Sequence, residues 1–332
     1  MKKVLFLVQS CIPAIKHNEY FPILQNTIKS IINQKRRADI EIRIVITDDG
    51  SGYLKSFVDH SIDIQSLSLD NLLIIKNKYD LNVDEIICAP ESEYFRKADL
   101  FNFYLRSKGS LYDLIIFLDD DHNFIKEDCL IRFISNYEKG YNFIVGRYYH
   151  PVYWFCTVNN GLYDWGIQGT TYAVSFPILK SIGFFSDSVK EWGFAEDYDI
   201  FRKAYLASLK HSVKAVFDSN IITVDNINGR WKYCVQKLGG FETGIKKFEQ
   251  EHAITFKKAA IKMQDWMDVI PNDYGISELV MKKINLEELM KFESLLKDRK
   301  TSLFDINLFA IKRIIYKKAS KLISLVTSTV FR

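Results

Sequence analysis

The sequence predicts an α/β protein with a mostly parallel central sheet, and two observations support this. Short apolar runs of strand type alternate with segments whose apolar residues recur at helical spacing. This alternation is typical of parallel strands joined by right-handed helical crossovers. Two of the apolar runs also end in acidic residues. Because parallel α/β sheets bind ligands outside the carboxyl ends of their strands, the fold class also predicts where a site would lie.

The elements follow one another along the chain in this alternating order. Val4–Val8 predicts a short buried strand, Tyr20–Gln34 a helix, and Ile40–Ser51 a strand that ends in Asp-Asp-Gly-Ser. Further strands are predicted at Leu72–Lys76, Leu114–Leu118, Phe143–Gly146 and Gly169–Ser175, and further helices at Lys97–Lys108, Leu130–Glu138, Ile178–Ile182 and the second half of Val189–Ser208. Beyond about Phe241 the pattern is mostly helical, with few strand signals.

Composition excludes several classes of protein. The 332 residues suffice for one large domain or for one domain with an appendage, and a net charge of +4 is too mild to indicate nucleic-acid binding. Five widely spaced cysteines without a CxxC pair indicate reduced cytosolic thiols and argue against a zinc site. The apolar run Val4–Val8 is too short for a signal peptide, and no run of about 18 apolar residues predicts a transmembrane helix.

Three consecutive aspartates, Asp119 to Asp121, follow the strand predicted at Leu114–Leu118. Adjacent carboxylates repel one another, and a divalent cation commonly offsets that cost. Mg²⁺ and Mn²⁺ prefer carboxylate oxygens, and a cation that bridges this cluster to a diphosphate would neutralise a leaving nucleoside diphosphate. A solvated turn is the alternative interpretation. We interpret the neighbouring His122 as polar surface rather than as a ligand.

Two further acidic motifs have both a functional and a structural interpretation. In VITDDGS, the carboxylates of Asp48 and Asp49 could accept hydrogen bonds from a base or a ribose, or could form an Asx-type turn before Gly50. In EWGFAEDYDIFR, Glu196 and Asp197 precede a predicted helix, where acids also suit the helix dipole.

Taken in order, these three motifs resemble the GT-A glycosyltransferases of the family-2 type. KADLFN, Lys97–Asn102, is similar to the basic-residue-to-Asn segment of that family, and Gly169–Asp187 resembles its acceptor-side strand and following helix. The resemblance covers roughly residues 1–235 and implies a Rossmann-like GT-A fold. Together with the helical pattern beyond Phe241, it predicts a catalytic domain over 1–250, with a nucleotide-binding half at about 1–125 and an acceptor half at about 126–250, followed by a helical C-terminal extension over 251–332.

The resemblance also implies a nucleotide site. Asp48 and Asp49 would contact the base and ribose, most often of a uridine nucleotide. Lys97, together with Arg96, would lie near the diphosphate.

The aspartate cluster would complete the donor site. Asp119 and Asp121 would be the outer carboxylates of the Asp-x-Asp motif, with one touching the ribose and the last reaching Mn²⁺ or Mg²⁺. Asp119 would also be in reach of the metal, and Asp120 would belong to the nucleotide site. Asp225 stands where some relatives place a metal-binding His, and it is either a ligand or a turn residue.

On the acceptor side, the resemblance implies that Asp197 is the general base and that Glu196 helps to position the substrate. Trp192 would form an acceptor platform. The implied reaction is an inverting transfer of a sugar from a nucleotide-sugar, with UDP-sugar favoured, to a hydroxyl of a glycan or lipid-linked glycan in cell-surface polysaccharide synthesis. One departure is the end of the first strand, VQSCIP, which differs from the usual family loop.

The C-terminal segment 303–332 has apolar residues at helical spacing with basic residues between them. Such a helix either lies on a membrane surface or packs on the catalytic domain or another subunit. We therefore expect a cytoplasmic protein, with peripheral contact to the inner face of the cytoplasmic membrane through this segment.

Three other functions compete with this one. An aspartyl phosphotransferase or phosphatase requires the motif Asp-x-Asp-x-Thr/Val. Here Asn123 stands at its last position, which argues against that function. A sugar nucleotidyltransferase would need a Gly-rich N-terminal loop, and VQSCIPAIKHNEY contains no glycine. A non-catalytic sugar-binding protein on the same fold remains the third alternative.

Overall fold

A computed structural model describes residues 1–12, 17–48, 65–67, 72–76, 81–88, 97–149, 170–186, 196–225, 246, 249–250 and 266–270. The described part contains eleven strands, numbered in chain order. They are β1 Lys2–Ser10, β2 Ile40–Asp48, β3 Gln65–Leu67, β4 Leu72–Lys76, β5 Glu85–Cys88, β6 Leu114–Asp119, β7 His122–Phe124, β8 Phe143–Tyr149, β9 Tyr172–Ser175, β10 Ala215–Asp225 and β11 Met267–Ile270.

These strands form one sheet in the order β11-β10-β8-β9-β6-β1-β2-β5-β4-β3, and β7 pairs with β10 beside this path. The pairs β1·β2, β1·β6, β2·β5, β8·β10 and β10·β11 are parallel. Strand β9 is antiparallel to both β6 and β8, so β8 runs in the direction of β6. Of the described strands only β4, β7 and β9 oppose the common direction, which confirms a mostly parallel sheet.

The described α-helices cover both faces of this sheet. They are α1 His17–Ile32, α2 Lys97–Lys108, α3 Cys129–Glu138, α4 Phe176–Ser181 and α5 Glu196–Ser208, and a short 3₁₀ helix spans Gly109–Leu111. Helices α1 and α3 pack into one apolar layer, and α2, α4 and α5 pack into the other. No helix among these is long and apolar enough to cross a membrane.

Strand β1 shows why the centre of the sheet is stable. Its residues Val4–Val8 alternate between the two apolar layers, and each is at most 1% exposed. Burying one aliphatic side chain of this size contributes about 1.5–3 kcal/mol relative to exposure. A continuous apolar run is therefore what a strand covered on both faces requires.

Strand order creates a crevice at one edge of the sheet. After β1 and β2 the chain forms the outermost strand β3, comes back through β4 to β5 beside β2, and then places β6 on the other side of β1. The change in winding direction falls between β1 and β6, and open α/β sheets bind ligands at such a point. The carboxyl ends of β1, β2 and β6 all lie at this edge.

Most predicted elements are present, and a few strands were missed. The predicted bounds of Lys97–Lys108 and Leu72–Lys76 match those of the structure. Strands β3, β5, β7 and β11 were not predicted. Beyond Phe241, where mostly helix was expected, Met267–Ile270 adds a parallel strand to β10.

Candidate active site

Two of the predicted site residues, Asp48 and Asp119, flank the end of β1. Ser10 pairs with Asp48 of β2, and Gln9 pairs with Asp119 of β6. Asp48 and Asp119 are therefore two strand spacings apart, about 10 Å. Because side chains alternate along each strand, Asp48 lies on the α1 face and Asp119 on the α2 face. Both aspartates lie at the same edge of the sheet, as predicted, but their side chains lie on opposite faces of it.

The middle aspartate of the cluster holds the crevice together. Asp120 is buried, and its carboxylate accepts a hydrogen bond from the backbone N–H of Cys11 at 3.2 Å. Its own N–H donates to the carbonyl of Gln9 at 2.9 Å, and its carbonyl accepts from the hydroxyl of Thr27 at 2.7 Å. Asp120 thus ties the end of β6 to β1 and α1, while its contact with a nucleotide stays a prediction.

The outer aspartates and a histidine form a possible cation site. Ligand atoms of Asp119, Asp121 and His122 all lie within 4.8 Å of one another, and His122 Nδ1 is 2.8 Å from Asp121 Oδ1. Octahedral Mg²⁺ has bonds of about 2.1 Å, so opposite ligands are about 4.2 Å apart. Small side-chain rotations would close the site around such an ion. The two carboxylates suit either Mg²⁺ or Mn²⁺.

The interpretation of His122 as polar surface was wrong, because His122 is only 6% exposed. The reason is strand β7, which was too short to predict and which pairs His122 with Asp225 of β10. The Asp225 backbone therefore lies directly across from His122. The side chain of Asp225 lies outside the described structure, and its role as a ligand stays a prediction.

Lys97 lies between two of the predicted site carboxylates. Its Nζ is 2.8 Å from Asp119 Oδ1 and 2.8 Å from Glu196 Oε1, and the side chain is 13% exposed. Burial alone would lower the pKa of this ammonium, but the charges of Asp119 and Glu196 hold that pKa well above its ordinary value. Lys97 therefore remains a cation at neutral pH. The structure joins α2, β6 and α5 through this one side chain.

Glu196 and Asp197 form the start of helix α5, which the sequence predicted to begin just after them. A third acid of the same turn, Asp199, is buried and has a different contact. Its carboxylate accepts from the backbone N–H and the hydroxyl of Ser186, each at 2.7 Å, and pairs with Lys203 at 3.0 Å. Asp199 thus ties α5 to Ser186.

Tyr172, which the sequence did not single out, lies beneath this cluster. It is completely buried, its ring stacks on Phe117 at 4.7 Å, and among the described residues its hydroxyl has no hydrogen-bond partner. Burial raises the pKa of the phenol well above its ordinary value, opposed by Lys97 and reinforced by Glu196 and Asp197. A buried hydroxyl without a partner costs free energy, and this one lies near four charged side chains.

The backbone next to Asp119 is strained. Thr170 Oγ1 accepts a hydrogen bond from the N–H of Asp119 at 3.0 Å. The next residue, Thr171, has φ +60°, which is rare for a β-branched residue. Its carbonyl accepts from the N–H of Gly146 at 2.7 Å, so β8 helps to hold this conformation. Such strain persists only where the surrounding structure enforces it, and it concentrates at functional sites.

Three predicted site residues, Asp49, Arg96 and Trp192, lie outside the described residues, as does the segment 303–332. Of the predicted set, the structure brings together Lys97, Asp119, Asp121, Glu196 and Asp197 on one side of the crevice, with Asp48 across β1.

No family model and no curated protein matches the sequence. Solved structures of S. aureus TarS are similar at 13% identity, with a TM-score of 0.43, over 78% of this chain and 45% of that one. The complex of TarS 1-349 with UDP-GlcNAc matches at 14% identity, with a TM-score of 0.37, over 68% of this chain and 56% of that one. The chain thus spans about half the length of these proteins.

Proposed function

We propose that the chain is a metal-dependent, inverting glycosyltransferase of the GT-A type that uses a nucleotide-sugar, with a UDP-sugar favoured. The proposal rests on one observation above all. Between β1 and β6, at the switch point where the winding direction of the sheet changes, Asp119 belongs both to a possible cation site and to an ion pair with Lys97. Lys97 also pairs with Glu196 at the start of α5. Carboxylates for a cation, an ammonium for phosphate and further acids for proton transfer are the groups that this reaction needs.

The donor side of the site binds the nucleotide in this proposal. Asp119 and Asp121 hold the cation, with His122 as a third ligand. When bound, Mn²⁺ or Mg²⁺ would neutralise charge that develops on the departing diphosphate. Asp48, with Asp49, binds the base and ribose. Asp120 holds the aspartate cluster against the end of β1 through its hydrogen bonds with Gln9 and Cys11.

The acceptor side carries out the proton transfer. Asp197 takes the proton from the acceptor hydroxyl, whose oxygen forms a bond to the anomeric carbon. The bond from that carbon to the diphosphate breaks, and attack from the opposite face inverts the anomeric centre. Glu196 positions the substrate, and Trp192 provides a platform for the acceptor. The nucleoside diphosphate leaves toward Lys97 and Arg96.

The acceptor in this proposal is a glycan or lipid-linked glycan of the cell surface. An enzyme of this kind works from the cytoplasm, and the basic segment 303–332 would give it peripheral contact with the inner face of the membrane. Recovery on anionic vesicles of the full chain, but not of a chain ending at residue 302, would support this contact. Equal recovery of both would overturn it.

Nucleotide binding tests the proposal directly. Calorimetry with UDP, GDP, dTDP and CMP, each with and without Mn²⁺, should show one nucleotide that binds only with the metal. Asp121→Ala should abolish that binding, while Asp128→Ala should not, because Asp128 pairs with Arg132 at the surface outside the cluster. Absence of nucleotide binding under every condition would leave the aspartates as a structural turn and would overturn the proposal.

A further inference from the structure

Lys97 presents a conflict that the proposed function has to resolve. In the ligand-free protein the ammonium is paired with Asp119 and Glu196, both at 2.8 Å. The same Asp119 carboxylate belongs to the possible cation site. A lysine and a divalent cation that share one carboxylate repel each other. The ammonium is also close to Phe101, with Nζ 5.8 Å from the ring centroid.

We propose that Lys97 is an internal counter-cation that the metal displaces from Asp119, so that metal binding releases Lys97 to hold the diphosphate. The inference rests on the proposed function and adds a coupling between its two ligands. In the ligand-free state Lys97 neutralises Asp119 and Glu196. Once the metal takes over Asp119, the freed ammonium turns to the diphosphate, and Glu196 becomes available to the substrate.

The surroundings of Lys97 support an exchange of partners rather than a fixed salt bridge. Lysine carries a compact charge on a flexible stem, and it can change partners without the fixed bidentate geometry of arginine. The ammonium is largely buried, so it gains little from solvent if it loses a carboxylate without gaining an anion. Binding of the metal alone is therefore opposed by the loss of this ion pair, and the diphosphate offsets that loss.

The coupling has a definite sign in each half of the exchange. Removing the Lys97 charge should strengthen binding of the metal alone, because the competitor for Asp119 is lost. The same change should weaken binding of the diphosphate in saturating metal, because its ammonium partner is lost. A lysine that stays fixed in its salt bridges would affect the first equilibrium but not the second.

The test compares the full-length wild type with Lys97→Met and with Lys108→Met. Lys108 is a matched control on the same helix, since its Nζ also lies 2.8 Å from a carboxylate, that of Glu85, but at the opposite end of α2. Electron paramagnetic resonance of free Mn²⁺ gives the metal affinity without nucleotide. Calorimetry gives the UDP affinity in saturating Mn²⁺.

We expect Lys97→Met to bind Mn²⁺ about fivefold more tightly than the wild type. With saturating Mn²⁺, it should bind UDP about tenfold more weakly, for the loss of a charge-assisted hydrogen bond. Lys108→Met should match the wild type in both. Unchanged or weaker Mn²⁺ binding by Lys97→Met, or no Mn²⁺ binding by either protein, overturns the proposal. Tighter Mn²⁺ binding with unchanged UDP binding overturns the release of Lys97 to the diphosphate.

Two controls keep the result interpretable. Circular dichroism checks that Lys97→Met is folded, and Lys97→Gln, which keeps hydrogen-bond donors without the charge, should give changes of the same sign. If the two affinities change as expected but no sugar is transferred, the proposed activity fails while the coupling at Lys97 stands. If transfer occurs and the affinities do not change, only the coupling fails.

Discussion

The side-chain amide of Asn102 binds both backbone polar groups of Phe185. Its Nδ2 donates to the Phe185 carbonyl at 2.8 Å, and its Oδ1 accepts from the Phe185 N–H at 3.0 Å. The pair connects α2, whose first residue is Lys97, to the chain just after α4. The buried amide therefore fixes α2 to Phe185, and the next residue, Ser186, is held to α5 by Asp199.

Asn102→Ala should lower the free energy of unfolding by about 2–4 kcal/mol, because two buried backbone groups lose their partner. Urea unfolding measures this change. Asn142→Ala is the matched control, since Asn142 also donates to one backbone carbonyl, that of Ser212, and accepts from one N–H, that of Lys214, but at the surface. Equal losses in the two variants would contradict a special role for the Asn102 pair.

Asp197 and Asp199 lie in one helical turn and should respond oppositely to the same change. Asp197→Asn should reduce kcat about 10²- to 10⁴-fold, as expected for loss of a general base, and leave UDP binding and thermal stability unchanged. Steady-state kinetics with a UDP-sugar measure kcat, titration calorimetry measures UDP binding, and thermal unfolding measures stability. If transfer persists in Asp197→Asn, the assignment of the base is wrong.

Asp199→Asn serves as the counterpart. Because the Asp199 carboxylate accepts two hydrogen bonds from Ser186 and pairs with Lys203, its neutralisation should lower stability by about 2 kcal/mol. Transfer by the folded fraction should persist at 25 °C. A large loss of kcat with unchanged stability would instead place Asp199 in the catalytic machinery.

Tyr172→Phe should leave stability unchanged or raise it by about 1 kcal/mol at pH 8, because the hydroxyl it removes is buried without a partner among the described residues. Tyr104→Phe should lower stability by about 1 kcal/mol, since that hydroxyl lies 3.1 Å from the hydroxyl of Tyr112. Urea unfolding of both variants measures the contrast. A loss in Tyr172→Phe as large as that in Tyr104→Phe would show that the Tyr172 hydroxyl has a partner in solution.

The Tyr172 comparison also depends on pH. Burial raises the pKa of this phenol in the folded state, so its contribution is complete below the unfolded pKa of about 10 and is lost as pH rises above it. Above pH 10 the unfolded wild type ionises at this position while the folded protein does not. Tyr172→Phe cannot ionise there, so its stability relative to the wild type should rise between pH 8 and pH 11. A pH-independent difference would contradict the raised pKa.

Local patterns predicted the strands that carry the acids, and long-range pairing decided what those acids do. The apolar run before Asp119 and the β-branched run before Asp48 were enough to place both at one edge of the sheet. No local pattern distinguishes Asp120, which binds the backbone of Cys11, from its neighbours, because that contact joins residues 109 positions apart. The burial of His122 depends on pairing with β10, which three residues of β7 are too few to signal.

Tyr172 and Asn102 illustrate the same limit. Asn102 was noticed as part of KADLFN, but its partner Phe185 lies 83 positions away. The sequence pattern indicated only that Tyr172 lies in a strand. The charged environment of its hydroxyl arises because Lys97 and α5 lie close to it in the folded protein. Side-chain identity therefore predicts which groups are available, while the tertiary structure determines which of them share a crevice.

The thiol of Cys11 offers a probe of the crevice that does not depend on catalysis. Cys11 follows β1 between the ends of β2 and β6 and is half-buried, whereas Cys88 and Cys129 are buried. Burial also raises the pKa of the Cys129 thiol to about 12, which keeps it unreactive at pH 8. Iodoacetamide should therefore modify Cys11 first among these three, as peptide mass spectrometry would show.

If the nucleotide binds at this edge of the sheet, UDP with Mn²⁺ should slow the alkylation of Cys11 about tenfold or more, because the thiol lies where the open α/β sheet receives its ligand. UDP without metal should protect weakly, and Asp121→Ala should show no protection. Ser10→Ala controls for indirect effects of packing, since it alters β1 beside Cys11 without removing a charge. Calorimetric binding of UDP with no change in the Cys11 rate would place the nucleotide away from the switch point between β1 and β6.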